Sequence, residues 1–173
     1  MNDPNTATVR GRFYEVFCHR RLGKGIELKG KSLESGDDFK LDVADRVQVR
    51  YFSSLAEITE LKSEERVYFV PKSKIFGALD SFYWNGTDCF ACQITISESH
   101  PISHAKLKEF IEWFHGLSSG VVSFVFVIPE RVSSEFKKQP YLSAKKTVTQ
   151  KISSAISKIS QYVVVLNEFQ GCR

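Results

Sequence analysis

The chain has 173 residues, 42% of them hydrophobic and 13% aromatic, with fourteen phenylalanines. That is enough apolar material for one domain to bury a core without disulfides or a structural metal. A formal charge of +4 permits a polyanionic partner without marking one. No apolar run reaches the length of a membrane span, and the opening Met1-Asn-Asp-Pro-Asn-Thr lacks a charged-then-apolar leader pattern. The expectation is a chain not exported by the usual route, or one domain of a longer modular protein.

The first element reads as a helix over Ala7–Leu22. Val9, Phe13, Val16 and Phe17 form an apolar stripe, Arg20 and Arg21 suit its C-terminal end, and Gly23 and Gly25 stop it. Gly11 implies close packing, and Glu15 lies off the main stripe, beside Gly11, Cys18 and Leu22. Short alternating segments follow. Ile26–Leu33 and Phe39–Phe52 read as strands around the turn Ser35-Gly-Asp-Asp, the second with a break near Ala44-Asp45. Leu55–Leu61 reads as a helical turn, and residues Glu57 to Glu65 as a charged linker.

Arg66–Val70 and Gly77–Trp84 read as strands separated by Pro71-Lys-Ser-Lys. Asn85-Gly86 is a two-residue hairpin signal, which makes Gly77–Trp84 and Cys89–Ser97 antiparallel neighbours. Ser103 is positioned to cap a helix over His104–Leu117, whose Leu107, Phe110, Ile111 and Phe114 recur at helical spacing. Val121–Ile128, ended by Pro129, reads as a central strand buried on both faces. The spacing of Val148, Ile152, Ile156 and Ile159 predicts an amphipathic helix over Ser143–Lys158, and Gln161–Phe169 closes the chain as a last strand. This order predicts an α/β fold, a three-layer sandwich with a mixed central sheet flanked by helices.

Four cysteines are present, Cys18, Cys89, Cys92 and Cys172. Cys89 and Cys92 form a C-x-x-C, but within a strand i and i+3 point to opposite faces and no second Cys/His pair follows. Buried thiols in a reducing compartment are the simpler reading.

The chemistry concentrates between Asp80 and His104. Gln93 and Thr95 are two apart in a strand whose other register, Phe90, Cys92, Ile94 and Ile96, is apolar, so they share a face. With Asp80, His100 and His104 they place an acid, an amide, a hydroxyl and two imidazoles near one end of a sheet. That geometry suits a metal-dependent phosphodiesterase. Each also has a plain structural role open to it: Asp80 bonded beside Ser81, Gln93 and Thr95 satisfying each other, His100 and His104 bonding locally near a helix N-terminus. Lys137, Lys138, Lys145, Lys146 and Lys151, with Tyr141 between them, form a candidate nucleic-acid-binding face or an ordinary solvated surface.

The stretch Gly11-Arg-Phe-Tyr-Glu15 with His19 and then Gly-Lys-Gly-Ile resembles the opening of the C-terminal domains of crinkler-type effectors, relatives of the retrotransposon hot spot proteins of trypanosomes. Tyr68-Phe-Val-Pro71, Ala78-Leu-Asp80-Ser-Phe, Gln93-Ile-Thr-Ile-Ser and His100-Pro-Ile continue the likeness. Phe124-Val-Phe-Val-Ile-Pro129, Lys138-Gln-Pro-Tyr141 and Ile159-Ser-Gln-Tyr162 complete it. The set covers most of the chain in order.

The resemblance implies a restriction-endonuclease-like domain. Such domains normally follow a translocation region and often an NTPase. The protein is then secreted and delivered to a host cell nucleus, where DNA, or a host nuclear protein, is the expected partner. In that superfamily's pattern an acid after the second core strand and an acid-x-lysine on the third hold Mg²⁺ or Mn²⁺, often with a glutamate from the first helix. Carried over, Glu15 is the helix acid, Asp80 the principal ligand, Gln93 the second acid and Thr95 the lysine. The candidate metal set is therefore Glu15, Asp80 and Gln93. The candidate catalytic set is Asp80, Gln93, Thr95 and His100 with a migrated lysine, Lys106 after His104, or Lys72 or Lys74 before the Asp80 strand. Gln and Thr in place of acid and lysine depart from the pattern. Three readings follow: a metal-dependent nuclease, a nuclease fold kept for binding alone, or an unrelated α/β interaction domain.

Overall fold

A computed structural model of the chain describes residues 4–73, 77 and 79–167. Lys74, Ala78, Phe169 and Cys172 lie outside the described residues. The elements, in chain order, are α1 (Pro4–Leu22), β1 (Ile26–Ser32), β2 (Asp38–Val43), β3 (Gln48–Phe52), β4 (Val67–Pro71), β5 (Ser81–Trp84), β6 (Cys89–Ile94), β7 (Ile102–Ser103), α2 (His104–Leu117), β8 (Val122–Ile128), β9 (Tyr141–Leu142), α3 (Ser154–Ser157) and β10 (Gln161–Val165). The single turn after β3 is a 3-10 helix over Leu55–Glu57.

Eight strands form one mixed sheet in the order β2-β1-β10-β8-β6-β5-β4-β3. β4, β5 and β6 are an antiparallel meander. The chain then crosses through α2 to β8, which lies parallel to β6. β10 adds parallel to β8, and β1 antiparallel to β10. β3 flanks the other side, parallel to β4. The chain path through the middle is thus helix, three-strand meander, helix, strand, with the β1–β3 segment inserted after α1.

The period-two alternation of each strand sorts its side chains into two cores. Phe69, Phe82, Trp84, Ala91, Phe124 and Phe126 pack with Leu107, Phe110, Ile111 and Phe114 of α2. Tyr68, Tyr83, Cys92, Val125 and Val164 pack with Tyr14, Cys18 and Leu22 of α1. The architecture is therefore an α/β sandwich, a mixed sheet with α1 over one face and α2 over the other. β8 is buried along both faces from Phe124 to Ile128, as that apolar run predicts.

Three expectations are corrected. Most of the predicted stripe of α1 faces outward: Val9, Phe13 and Val16 are 51%, 72% and 49% exposed, while Tyr14, Cys18 and Leu22 are buried and Phe17, the fourth stripe residue, packs partly against them. The buried face instead carries a hydrogen-bonded residue, with the Tyr14 hydroxyl donating to the Leu166 carbonyl at 2.8 Å. The hairpin between β5 and β6 has a four-residue loop, because Trp84 pairs with Cys89; Asn85 Oδ1 accepts from the Thr87 and Asp88 N–H groups, and Gly86 takes φ +92°.

The helix predicted over Ser143–Lys158 is mostly absent. Residues 141–149 form a small hairpin, in which Ser143 N–H donates to Thr147 O and Thr149 N–H to Tyr141 O, both at 2.9 Å. Lys146 has φ +57° at its turn. The β-branched run Thr147-Val-Thr disfavours a helix, and only Ser154–Ser157 is helical, its N-terminus capped by the Ser153 hydroxyl. Of the expected stripe, Ile156 and Ile159 are buried and Val148 and Ile152 exposed.

Candidate functional site

The site lies where the β5–β6 hairpin opens, at the end of the sheet toward α1. Beyond the Ser81–Cys92 pair the ladder runs one step further, with Asp80 N–H donating to the Cys92 carbonyl at 2.9 Å. This sets Asp80 opposite Gln93 across the two strands. Gln93 Nε2 donates to Asp80 Oδ2 at 2.5 Å, and the Ile94 N–H donates to the same oxygen at 2.8 Å. Gln93 is nearly buried, so its amide is spent on orienting the aspartate.

α1 brings its inward polar residues to the same place. Glu15 and His19 sit one turn apart, Nε2 to Oε1 3.9 Å. His19 Nδ1 is 2.8 Å from the Tyr68 hydroxyl, and that hydroxyl donates to Ser81 Oγ at 2.7 Å. Tyr68 and Ser81 are fully buried. Burial pushes the Tyr68 phenol well above its ordinary range.

A cavity of about 470 Å³ joins these groups. Its polar lining is Glu15, His19, Lys72, Ser73, Asp80, Gln93 and His100, against walls of Val70, Pro71 and Leu79. Glu15, Asp80, Gln93 and His100 of the sequence-derived set are thus brought together. Thr95 and Lys106 do not line the cavity. Thr95 is nearly buried; its Oγ1 accepts from the Ser97 N–H and its own N–H continues the ladder to Val127. Lys106 is exposed on α2 and paired with Glu109 at 3.1 Å. Among the described lysines Lys72 lines the cavity, placed there as the backbone leaves β4, with its N–H on the Phe52 carbonyl at 2.8 Å.

The remaining histidine and cysteine candidates differ in placement. His104 Nε2 accepts from the Ser153 N–H at 3.2 Å, tying α2 to α3. His100 is half-buried and desolvation holds its imidazole below its ordinary pKa. Cys89 and Cys92 are buried on opposite faces, as the strand register requires. Burial raises both thiols, Cys92 to about 12, so neither is a thiolate near neutrality.

The basic residues do not form one helical face. Lys137 and Lys138 precede β9, Lys145 and Lys146 occupy the hairpin tip, and Lys151 follows it, all exposed. Lys138 is held by Glu34 at 3.0 Å, and Tyr141 is buried rather than interleaved among the lysines.

Among the described residues no group of three His, Cys, Asp or Glu side chains stands ready to hold a metal ion. Glu15 and Asp80 supply two carboxylates to one cavity. Mg²⁺ is commonly bound by one or two carboxylates, with water and substrate phosphate completing the octahedron. The donor set fits a cation held in that way. Gln93 joins it through Oε1 only if its amide turns over, releasing Asp80. No family model, curated protein or solved structure matches this chain.

Proposed function

We propose that this chain is a nuclease-like effector domain with a restriction-endonuclease-like core, which hydrolyses phosphodiester bonds of host nucleic acid with the help of Mg²⁺ or Mn²⁺. The supporting observation is one juxtaposition: Glu15 of the first helix, Asp80 before the second meander strand and Gln93 at the end of the third line a single cavity, with Lys72 on its rim. The chain path of helix, meander, helix and parallel strand supports the core assignment. The ordered motifs that resemble crinkler-type effectors support the biological setting, with DNA as the preferred target in a host nucleus.

A cation held by Glu15 and Asp80 supplies polarisation of the phosphoryl oxygen and an acidified water. The chain's own contribution is positioning. Two N–H donors fix Asp80 Oδ2, so the carboxylate keeps its orientation as charge develops. Lys72 takes the role expected of the missing strand lysine, offering its ammonium to the phosphate from the loop after β4 rather than from β6. Cleavage of plasmid and single-stranded oligonucleotide with Mg²⁺ or Mn²⁺ tests this. Asp80→Ala should abolish it, and Lys72→Ala should lower kcat by about 10²-fold, the scale of one lost electrostatic contact. Cleavage that survives Asp80→Ala sinks the proposal.

A second reading has its own observation. The 2.5 Å bond from Gln93 Nε2 gives Asp80 a neutral donor where the superfamily pattern would have a second acid and a cation. In that reading the fold is kept to bind nucleic acid or a host nuclear protein. Salt-sensitive binding that is indifferent to Asp80→Ala, with no cleavage under either metal, would select it.

A further inference from the structure

The function proposed above leaves three motifs unused: His100-Pro-Ile, Lys138-Gln-Pro-Tyr and Ile159-Ser-Gln-Tyr. In the fold they meet. β7 and β9 pair through Ile102 and Tyr141, and the Ile102 N–H donates to the Pro140 carbonyl at 2.9 Å. Beneath them two buried glutamines clasp each other: Gln139 N–H donates to Gln161 Oε1 at 2.8 Å, and Gln161 Nε2 donates back to the Gln139 carbonyl at 2.9 Å. The Gln139 side chain then reaches the loop that follows β6. Its Oε1 accepts the His100 N–H at 2.6 Å, and its Nε2 donates to the carbonyls of Glu98 at 3.3 Å and Lys137 at 2.7 Å.

The Gln139 amide therefore holds one short surface segment, residues 98–100, against the sheet, and the Gln161 amide holds the Gln139 backbone. Buried side-chain amides are costly unless fully bonded; that of Gln139 is bonded to this loop and to the Lys137 carbonyl, and that of Gln161 to Gln139. The functional group that the loop delivers to the cavity is His100. Side chains that must meet a substrate need such support, because a small misplacement costs binding and rate.

We propose that His100, beside Lys72, donates a hydrogen bond to the phosphate of nucleic acid bound in this cavity, and that Gln139 and Gln161 are its positioning residues. The inference rests on reading the cavity as a phosphodiester site. The remaining polar side chains of that cavity come from other elements: Glu15 and His19 from α1, Lys72 and Ser73 from the loop after β4, and Asp80 and Gln93 from the β5–β6 hairpin. A neutral imidazole donates one N–H without requiring a proton to be gained or lost.

The test is binding of a short single-stranded DNA to the whole chain in Ca²⁺, by fluorescence anisotropy, with Mg²⁺ cleavage measured separately. His100→Ala leaves the backbone N–H on Gln139, so the fold should melt as wild type while Kd rises about tenfold, the loss of one charge-assisted hydrogen bond. Gln139→Met and Gln161→Met should each weaken binding in the wild-type background and add little in the His100→Ala background, because they act through that ring. Glutamines that merely stabilise the fold would instead lower melting temperature equally in both backgrounds and leave Kd alone.

The proposal is overturned if His100→Ala binds as wild type, or if the glutamine effects are additive with it. Wild-type chain that binds no DNA, and whose His100 ring resonances ignore added inorganic phosphate, overturns it too. Coupled binding effects without any Mg²⁺-dependent cleavage would retain this contact and discard only the nuclease reading.

Discussion

Gln93→Glu is the substitution that probes the site most directly. In the native chain the Gln93 amide and the Ile94 N–H both donate to Asp80 Oδ2, at 2.5 and 2.8 Å. Glutamate has nearly the same shape but no donor, so it removes a hydrogen bond to a charged group, worth about 1.5–3 kcal/mol. It also sets one carboxylate against another. Unit charges about 4 Å apart at an effective dielectric near 20 repel by about 4 kcal/mol. Asp80 is only half-buried, and protonation of one carboxyl relieves much of that repulsion. A net loss of about 2 kcal/mol at neutral pH follows, which lowers Tm by about 4–8 °C in a domain of this length. The paired carboxyls hold a proton more tightly folded than unfolded. The deficit is therefore smallest at about pH 4 and grows as pH rises through the raised native pKa. Millimolar Mg²⁺ or Mn²⁺ should restore Tm at neutral pH by binding between the carboxylates. Melting curves at both pH values, with and without metal, read all three effects. A variant that melts like wild type at neutral pH refutes the Asp80–Gln93 contact. One that is destabilised but indifferent to metal keeps the contact and removes the cation from the site.

Further outcomes follow from the same geometry. Phe82 is fully buried, stacked on Phe69 at 4.5 Å and edge-on to Phe52, Phe110 and Trp113; Phe82→Ala should cost about 3–5 kcal/mol by urea unfolding, and a loss under about 1 kcal/mol would contradict this packing. Because burial lowers the His100 pKa, the unfolded chain takes up its proton first as pH falls below about 6.5, and stability drops on the acid side. His100→Asn should therefore gain stability relative to wild type between about pH 7 and pH 5, and a pH-independent difference would contradict that sign. If the hairpin tip meets nucleic acid, replacing Lys145 and Lys146 by Gln should reduce the slope of log affinity against log salt by about 0.7 per charge on single strands. An unchanged slope would remove the tip from the interface.

What could be read in the sequence was set by how local its cause is. α2 and β8 were legible because their patterns report burial directly: Leu107, Phe110, Ile111 and Phe114 at helical spacing, and six apolar residues of seven, on both faces of a central strand. That Asp80 and Gln93 share one site was legible, since the hairpin signal placed their two strands side by side; the hydrogen bond between them was not, because it depends on the four-residue loop that sets the register. The segment 143–158 was not, because Val148 and Ile152 recur at helical spacing yet stay exposed while a left-handed Lys146 and the Thr147-Val-Thr run turn the chain back. Nor could sequence separate Lys72 from Lys106. Their placement depends on where the loop after β4 leaves the sheet and on which side of α2 faces solvent, both long-range outcomes. Gln139 and Gln161 are silent in any periodicity, because each matters only for the other and for a loop some forty residues earlier.

The reversed helix α1 follows the same logic and bears on the site. An apolar stripe such as Val9, Phe13 and Val16 would hold a helix to a sheet through contacts that tolerate sliding and small rotations. The face that actually turns inward carries directional bonds instead, Tyr14 to the Leu166 carbonyl at one level and His19 to Tyr68 and Ser81 at another. Successive residues differ by about 100° around a helix, so slipping α1 by one position breaks both bonds and takes from the buried Leu166 carbonyl and Tyr68 hydroxyl their partners on α1. The register of α1 is thereby fixed by hydrogen bonds, and Glu15, one turn before His19, is carried into the cavity beside Asp80 by that same register. A helix chosen for greasy contact would be simpler to recognise from its sequence and poorer at holding a carboxylate in place.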